Sequence, residues 1–232
     1  MLFDLRSKSR RNTVRVVYVI LALLMLSGLL LVGVGTGNNN GGILNALSNN
    51  GGSSSGQNAL INQATSAAIK QTNKHPDSSK AWEGLVEARW TAAGTGTNFD
   101  TTTNTYTKGG KAQLNDGVTA WNKYLSLVNN KPDLNTSLFA VKIYQALQQW
   151  SDAGNAWEYI IQSQGAGSTD AIRGYECLAL NAFAASQSSK GELAAAAAKK
   201  RLPKVDQSEW ASTVTGAKSS ATTAAGDVVS DC

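Results

Sequence analysis

From Val16 to Val34 the chain runs 19 residues without a charge. Wound as a helix at about 1.5 Å per residue, that run reaches about 28 Å, close to the hydrocarbon thickness of a bilayer. A cleaved signal peptide is the competing reading. Such peptides have apolar cores of roughly 7–15 residues followed by a small-residue cleavage site, and Gly33-Val34-Gly35 offers one. The length of the run favours a retained transmembrane helix over 16–34. Arg6, Lys8, Arg10, Arg11 and Arg15 all precede it. Cytoplasmic flanks carry the excess of Lys and Arg, and amphipathic rings such as Tyr18 settle at the interface. Residues 1–15 are therefore expected in the cytoplasm as a basic segment, with the rest of the chain outside the cell membrane, which it crosses once. The same cations suit anionic lipid headgroups, and Leu2 excludes the glycine that myristoylation needs.

The formal charge of +5 raises the question of a nucleic-acid partner. Beyond Val34, however, sixteen basic residues face fifteen acidic ones. Nucleic-acid binding calls for a basic face or stripe, and none is visible, so no nucleic acid is expected. Residues 35–56 read as a flexible Gly/Asn/Ser linker that cannot bury enough apolar surface to order itself. It carries one apolar island, in which Ile43, Leu44 and Leu47 share a helical face. The island is either a membrane-skimming turn or a short docking motif.

Residues 57–216 carry helical periodicity. Trp82, Leu85, Val86, Arg89, Trp90 and Ala93 form one face. Leu114, Val118, Trp121, Leu125 and Val128 step by three and four along another. Further faces run through Leu138, Val141, Tyr144 and Leu147; through Ala153, Ala156, Trp157, Ile160 and Ile161; through Ile172, Tyr175, Ala179, Ala182 and Phe183; and through Leu193, Ala196 and Ala197. Ser189 to Glu192 and Asp206 to Glu209 have capping-box spacing. Pro76, Pro132 and Pro203 fall between patterns, where a missing backbone donor does least harm. Residues 217–232, rich in small side chains, are expected to be a disordered tail.

Ala120-Trp121 and Ala156-Trp157 lie 36 residues apart, and each interval of that length holds two helical patterns. With Tyr124 and Pro132, this spacing resembles tetratricopeptide-repeat (TPR-like) proteins. The resemblance covers roughly 57–216 and rests on period and pairing more than on consensus, since Lys108 and Tyr144 stand where small residues belong. Taken with the N-terminal segment, the chain is similar to actinobacterial single-pass membrane proteins bearing such a domain. The resemblance implies an all-α fold, a TPR-like helical-hairpin solenoid with an N-terminal transmembrane helix. Three pairs are expected, at about 78–128, 133–164 and 168–201, with 57–73 and 207–216 covering the two ends. The first pair carries a polar insertion at 94–110. Architecturally, anchored TPR proteins beside the secretion translocon are an analogy.

No motif specifies a reaction. His75 is the single histidine and sits in a turn. It cannot build a His-rich zinc site, nor a triad without a nucleophile elbow. There is no Walker A sequence and no Gly-rich dinucleotide fingerprint. The chain is not expected to be an enzyme and no cofactor or metal is expected. Cys177, on an amphipathic helix, reads as a small buried hydrophobe; an extracytoplasmic setting would also permit its disulfide with Cys232. Trp82, Trp121 and Trp157 read as core, while Trp90, Trp150 and Trp210 lie nearer helix ends. A stacked array leaves a concave groove suited to peptides, and aromatics recognise peptides well. The candidate partner-binding residues are Trp90, Phe99, Tyr106, Tyr144 and Tyr175, with Ile43, Leu44 and Leu47 in the linker. The expected function is a membrane-anchored protein–protein interaction module: an adaptor, assembly factor or chaperone-like helper for envelope or secreted proteins, holding a protein or peptide. The alternative is a structural or regulatory subunit that docks through its anchor helix and juxtamembrane segment.

Overall fold

A computed structural model describes residues 54–164 and 168–232. The 16–34 span and the Ile43, Leu44 and Leu47 island lie outside the described residues. Among the described residues, no helix is long and apolar enough to cross a membrane. The fold is all-α. Nine helices run through the described residues: α1 (Ser54–Lys74), α2 (Ser79–Ala93), α3 (Lys108–Leu127), α4 (Leu134–Ala146), α5 (Trp150–Ser163), α6 (Thr169–Ala184), α7 (Ser188–Arg201), α8 (Gln207–Ser219) and α9 (Ala221–Asp231). One short hairpin, β1 (Phe99–Asp100) and β2 (Thr105–Tyr106), interrupts them between α2 and α3.

Short polar side chains set where the helices begin. Ser78, Thr107, Asp133, Ser168 and Ser220 each accept hydrogen bonds from backbone N–H groups in the first turn. These caps satisfy donors that have no intrahelical partner. The two capping boxes read from sequence do not close. Ser189 lies inside α7, which starts at Ser188 behind Gln187, and neither Gln187 nor Asp206 makes a side-chain cap bond.

Consecutive helices fold back on each other as three pairs: α2 with α3, α4 with α5, and α6 with α7. The second helix of one pair leads onto the first of the next, since α3 meets α4 and α5 meets α6. One turn recurs at three helix junctions: after α3, where Asn129 takes φ 51° and the Asn130 N–H reaches the Leu125 carbonyl at 3.0 Å, after α4 and after α6. Gln148 and Ser186 both take left-handed backbone, at φ 58° and 59°. In each, the following N–H reaches back to a carbonyl five residues earlier: Gln149 to Tyr144 at 2.8 Å and Gln187 to Ala182 at 2.7 Å. Side chains also join second helices of neighbouring pairs. Tyr159 of α5 sits edge-on to Trp121 of α3 with 6.1 Å between centroids. Lys190 of α7 reaches Glu158 and Asn155 of α5, each at 2.9 Å.

Between pairs one and two, Tyr124 and Asp133 stitch α3 to the start of α4. The Tyr124 hydroxyl donates to Asp133 Oδ2 at 2.5 Å and accepts from the Asp133 N–H at 3.1 Å. The same carboxylate caps α4, accepting from the Thr136 N–H at 3.0 Å and the Thr136 hydroxyl at 2.6 Å. Burial by itself would raise the Asp133 carboxyl, but the bonds from Thr136, Tyr124 and the backbone together outweigh it and hold it below the usual carboxylate range. Burial, then the bond to Asp133, push the Tyr124 hydroxyl up to about 12. Asp133→Ala is expected to cost about 1–2 kcal/mol, the upper range for a lost cap, because the half-buried Tyr124 hydroxyl loses its acceptor too. A depressed folded pKa stabilises above the ordinary carboxylate value, near 3.9, and that contribution is lost as pH falls through the folded value. Urea midpoints of the two proteins should therefore differ at pH 6 and converge towards pH 2. A difference that persists unchanged at pH 2 would show that ionised Asp133 is not the stabilising species.

Two glycines let elements touch. A Cβ on Gly110 would lie 2.1 Å from the Asn98 carbonyl oxygen, so only glycine lets the insertion close onto the first turn of α3. A Cβ on Gly191 would lie 2.5 Å from the Phe183 ring, which presses against the α7 backbone there.

The apolar faces read from sequence hold for most helices, with corrections. Leu114 and Trp121 of α3 are buried, but the deepest face turns towards Ala120 and Tyr124, leaving Val118, Leu125 and Val128 half-buried. On α7 the expected face is wrong: Leu193 is 75% exposed, and the helix buries Gly191, Ala194, Ala195 and Ala198 instead. In an alanine run every face is equally apolar, so periodicity carries no contrast. Trp210, read as lying near a helix end, sits in the first turn of α8 but is buried, and it donates its indole N–H to the Ala195 carbonyl at 3.1 Å.

The chain end departs most. In place of a disordered tail at 217–232, α8 continues to Ser219 and α9 follows from Ala221. α9 packs on α6 through Ala224 and Val228, and Cys232 forms a disulfide with Cys177 of α6. α6 is therefore covered by α5, α7, α8 and α9, and every residue from Cys177 to Ala184 is buried. At the other end of the described residues, helix begins at Ser54, inside the stretch expected as linker.

Candidate functional site

The insertion positions the aromatic cluster. α2 ends at Ala93, and Asn98 folds the chain back by donating its amide to the Ala92 carbonyl at 2.8 Å. The hairpin then pairs Phe99 with Tyr106 and Asp100 with Thr105. Its turn is held by Asp100, which accepts from the Thr102 and Thr103 N–H groups at 2.9 and 3.3 Å. Those donors, Thr102 first, hold the Asp100 carboxyl below its ordinary range. Asn104 supplies left-handed backbone at φ 53°, a conformation asparagine tolerates better than most residues. The Phe99 ring meets Tyr106 edge-on at 5.0 Å, and Tyr106 in turn meets Trp90 at 6.3 Å. These separations are the ordinary ones for attractive aromatic pairs. Burial pushes the Tyr106 hydroxyl up.

Trp90 and Tyr106 open onto a cleft of about 740 Å³. Trp150, at the start of α5, joins them. Val228 and Val229 of α9 face them across the cleft, and Val229 is 78% exposed. Lys111 of α3 and Lys142 of α4 are the charged side chains lining it. Gln145 lines it as well, and its buried amide nitrogen has no acceptor among the described residues. The volume falls within the range of small-molecule and peptide pockets, about 300–1,000 Å³, and the mix of apolar wall with a few polar groups is usual for one.

A second, smaller hollow of about 310 Å³ lies beside the disulfide. Its charged lining is all acidic: Glu176, Asp206, Glu209 and Asp231. Burial pushes the Glu176 carboxyl up. Cys232 lines both hollows, so α9 stands between a cationic, aromatic cleft and an anionic one.

Of the sequence candidates, Trp90, Phe99 and Tyr106 come together, with Phe99 buttressing Tyr106 from outside the cleft lining. Tyr144 does not join them. It is 7% exposed within the core, and burial, then Asp152 and Tyr159, push its hydroxyl up to about 12. Tyr175 stands apart beneath the Arg201 guanidinium, 4.3 Å from its ring. Trp150, Lys111, Lys142 and the valines of α9 were missed as site residues. Trp150 showed its position near a helix end; the others carry no local signal, because a solvated lysine and a cleft lysine read alike. No protein-family model, curated protein sequence or solved structure matches this chain.

Proposed function

We propose that the chain is a membrane-anchored protein–protein interaction module that holds a peptide segment of its partner in the cleft beside α9. The observation that carries this reading is the convergence of Trp90, Tyr106 and Trp150 on one open concavity. Rigid aromatics offer large contact area for little entropy lost. The sequential packing of α2 to α7, with Tyr159 on Trp121 and Lys190 on Glu158, favours a TPR-like stack for the scaffold. A fold lends no function by itself, so the argument rests on the cleft. The Cys177–Cys232 bond favours an extracytoplasmic setting, because disulfides persist in oxidising compartments. In this reading residues 16–34 tether the module to the membrane and no catalysis is involved.

A photo-reactive residue placed at Val229, in the full-length protein in its native membrane, is expected to capture a partner protein. Competition by a soluble fragment of that partner should abolish the capture. Photo-reactive residues within 16–47 serve as the comparison. Capture from 16–47 with none from Val229 would replace this reading with that of a subunit docked through its anchor.

A further inference from the structure

Resting on the reading of the cleft as a peptide site, we infer that the segment it takes is acidic, with apolar anchors beside its carboxylates. Lys111 and Lys142 are the charged side chains of the cleft, and neither is engaged by a carboxylate in the ion pairs of the described residues. The Lys142 ammonium lies 5.9 Å from the centroid of the Phe139 ring. A carboxylate entering between them meets two cations at no cost of a broken pair. Once a ligand covers the cleft and lowers the local dielectric, that attraction strengthens. Gln145 adds a donor whose buried nitrogen lacks an acceptor, and a buried donor without a partner is unfavourable until a ligand supplies one. Asn104, Thr105 and Gln148 line the cleft with groups that both donate and accept, so its two cations and the unpartnered Gln145 donor set its preference for acceptors, while Trp90, Tyr106 and Trp150 offer apolar contact.

α9 forms one wall of the cleft with Ala225, Gly226, Val228 and Val229, and its own charged residues, Asp227 and Asp231, are both acidic. The hollow on its other side, with Glu176, Asp206 and Glu209, repels an acidic segment. The hollows on the two sides of α9 therefore differ in the sign of their charged side chains, and an acidic ligand is directed to the lysine side. Complementary potentials of this kind steer encounter and exclude wrong partners.

The test is a display library of random 16-residue peptides selected on the full-length chain in detergent micelles. Enriched peptides are then measured by fluorescence anisotropy. The inference expects net-negative peptides with aromatic or aliphatic anchors. It expects their affinity to fall by about tenfold or more in the Lys111→Glu/Lys142→Glu variant and to weaken as salt rises. Val229→Glu, an exposed position on the facing wall, should weaken the same peptides while leaving thermal unfolding unchanged. Peptides that are lost in Trp90→Ala or Val229→Glu, yet are neutral or basic and indifferent to the lysine reversal, would overturn the acidic assignment and leave the cleft reading standing. Peptides indifferent to Trp90 and Val229, or no enrichment at all, would overturn both.

Discussion

Reducing the Cys177–Cys232 disulfide should lower the stability of the folded unit by about 4 kcal/mol. The bond closes a loop of 55 residues in sequence. Loop-closure entropy gives about 3 kcal/mol for a 15-residue loop and about 4.7 for a 100-residue one, and this loop lies between them. The effect should be uneven across the molecule. On its own residues α9 buries only Ala224 and Val228, and at about 25 cal/mol per Å² of apolar area so small a contact is a weak hold for an eleven-residue helix. With a dithiol present, two thiols replace the bond and the dithiol is oxidised in turn. Hydrogen exchange in 221–231 should then rise well ahead of exchange in α2 to α5. Because Val228, Val229 and Cys232 wall the cleft, the same treatment removes that wall. Urea unfolding with and without reductant, repeated on Cys177→Ala/Cys232→Ser, measures the first effect. A midpoint insensitive to reductant, with protected 221–231 amides, would mean that α9 is held by packing instead.

Trp157→Ala should cost about 3–5 kcal/mol, the usual loss for a large aromatic removed from a core. Trp157 is 3% exposed on α5 and faces α6 where Gly174 carries no side chain. A cavity there separates the second pair from the third. Trp121→Ala should cost a similar amount, because its 2% exposed ring stacks on Tyr124 at 5.7 Å and receives the edge of Tyr159. Trp82 is the internal comparison. It is half-buried and its indole N–H donates to the Pro76 carbonyl at 2.8 Å, so its loss should approach a single hydrogen bond plus partial burial, nearer about 1–2 kcal/mol. Chemical denaturation of the three variants decides the matter. Equal losses at all three positions would contradict the layered placement of Trp121 and Trp157 between pairs.

The three Ala-Trp pairs show how far local pattern reaches. At 120–121 and 156–157 both residues are buried, on second helices of successive pairs, with the alanine permitting close approach and the ring filling the space. At 81–82, on a first helix, both residues are only half-buried. Spacing linked the first two, which stand one period apart, but all three tryptophans read as core from sequence; Trp82 departs because it lies in the first turn of α2, with its indole N–H on the Pro76 carbonyl. The cleft was less legible. Trp90, Phe99 and Tyr106 could be nominated because an insertion has no obligatory core role, and they do meet. Tyr144 and Tyr175 were nominated on residue type alone, and the packing of α4 and α6 assigns them elsewhere. Lysines 111 and 142 sit far apart in sequence on different helices, and both are exposed in the fold, so nothing local marks either as lining the cleft.

By itself the sequence determined the helices between 57 and 216, most of their buried faces and the polar insertion between two of them. Those features depend on neighbours within a few residues, where steric fit, capping bonds and three-to-four spacing act. Only the tertiary structure decided which face of alanine-rich α7 turns inwards, that residues 221–231 fold as a helix, and that Cys232 finds Cys177. A small-residue segment has too little apolar surface to order alone; it is ordered by a surface already formed on α6 and by a covalent bond to it. The cleft has the same origin. Its walls come from α2, the hairpin, α3, α4, α5 and α9, so residues from Trp90 to Cys232 must meet before it exists.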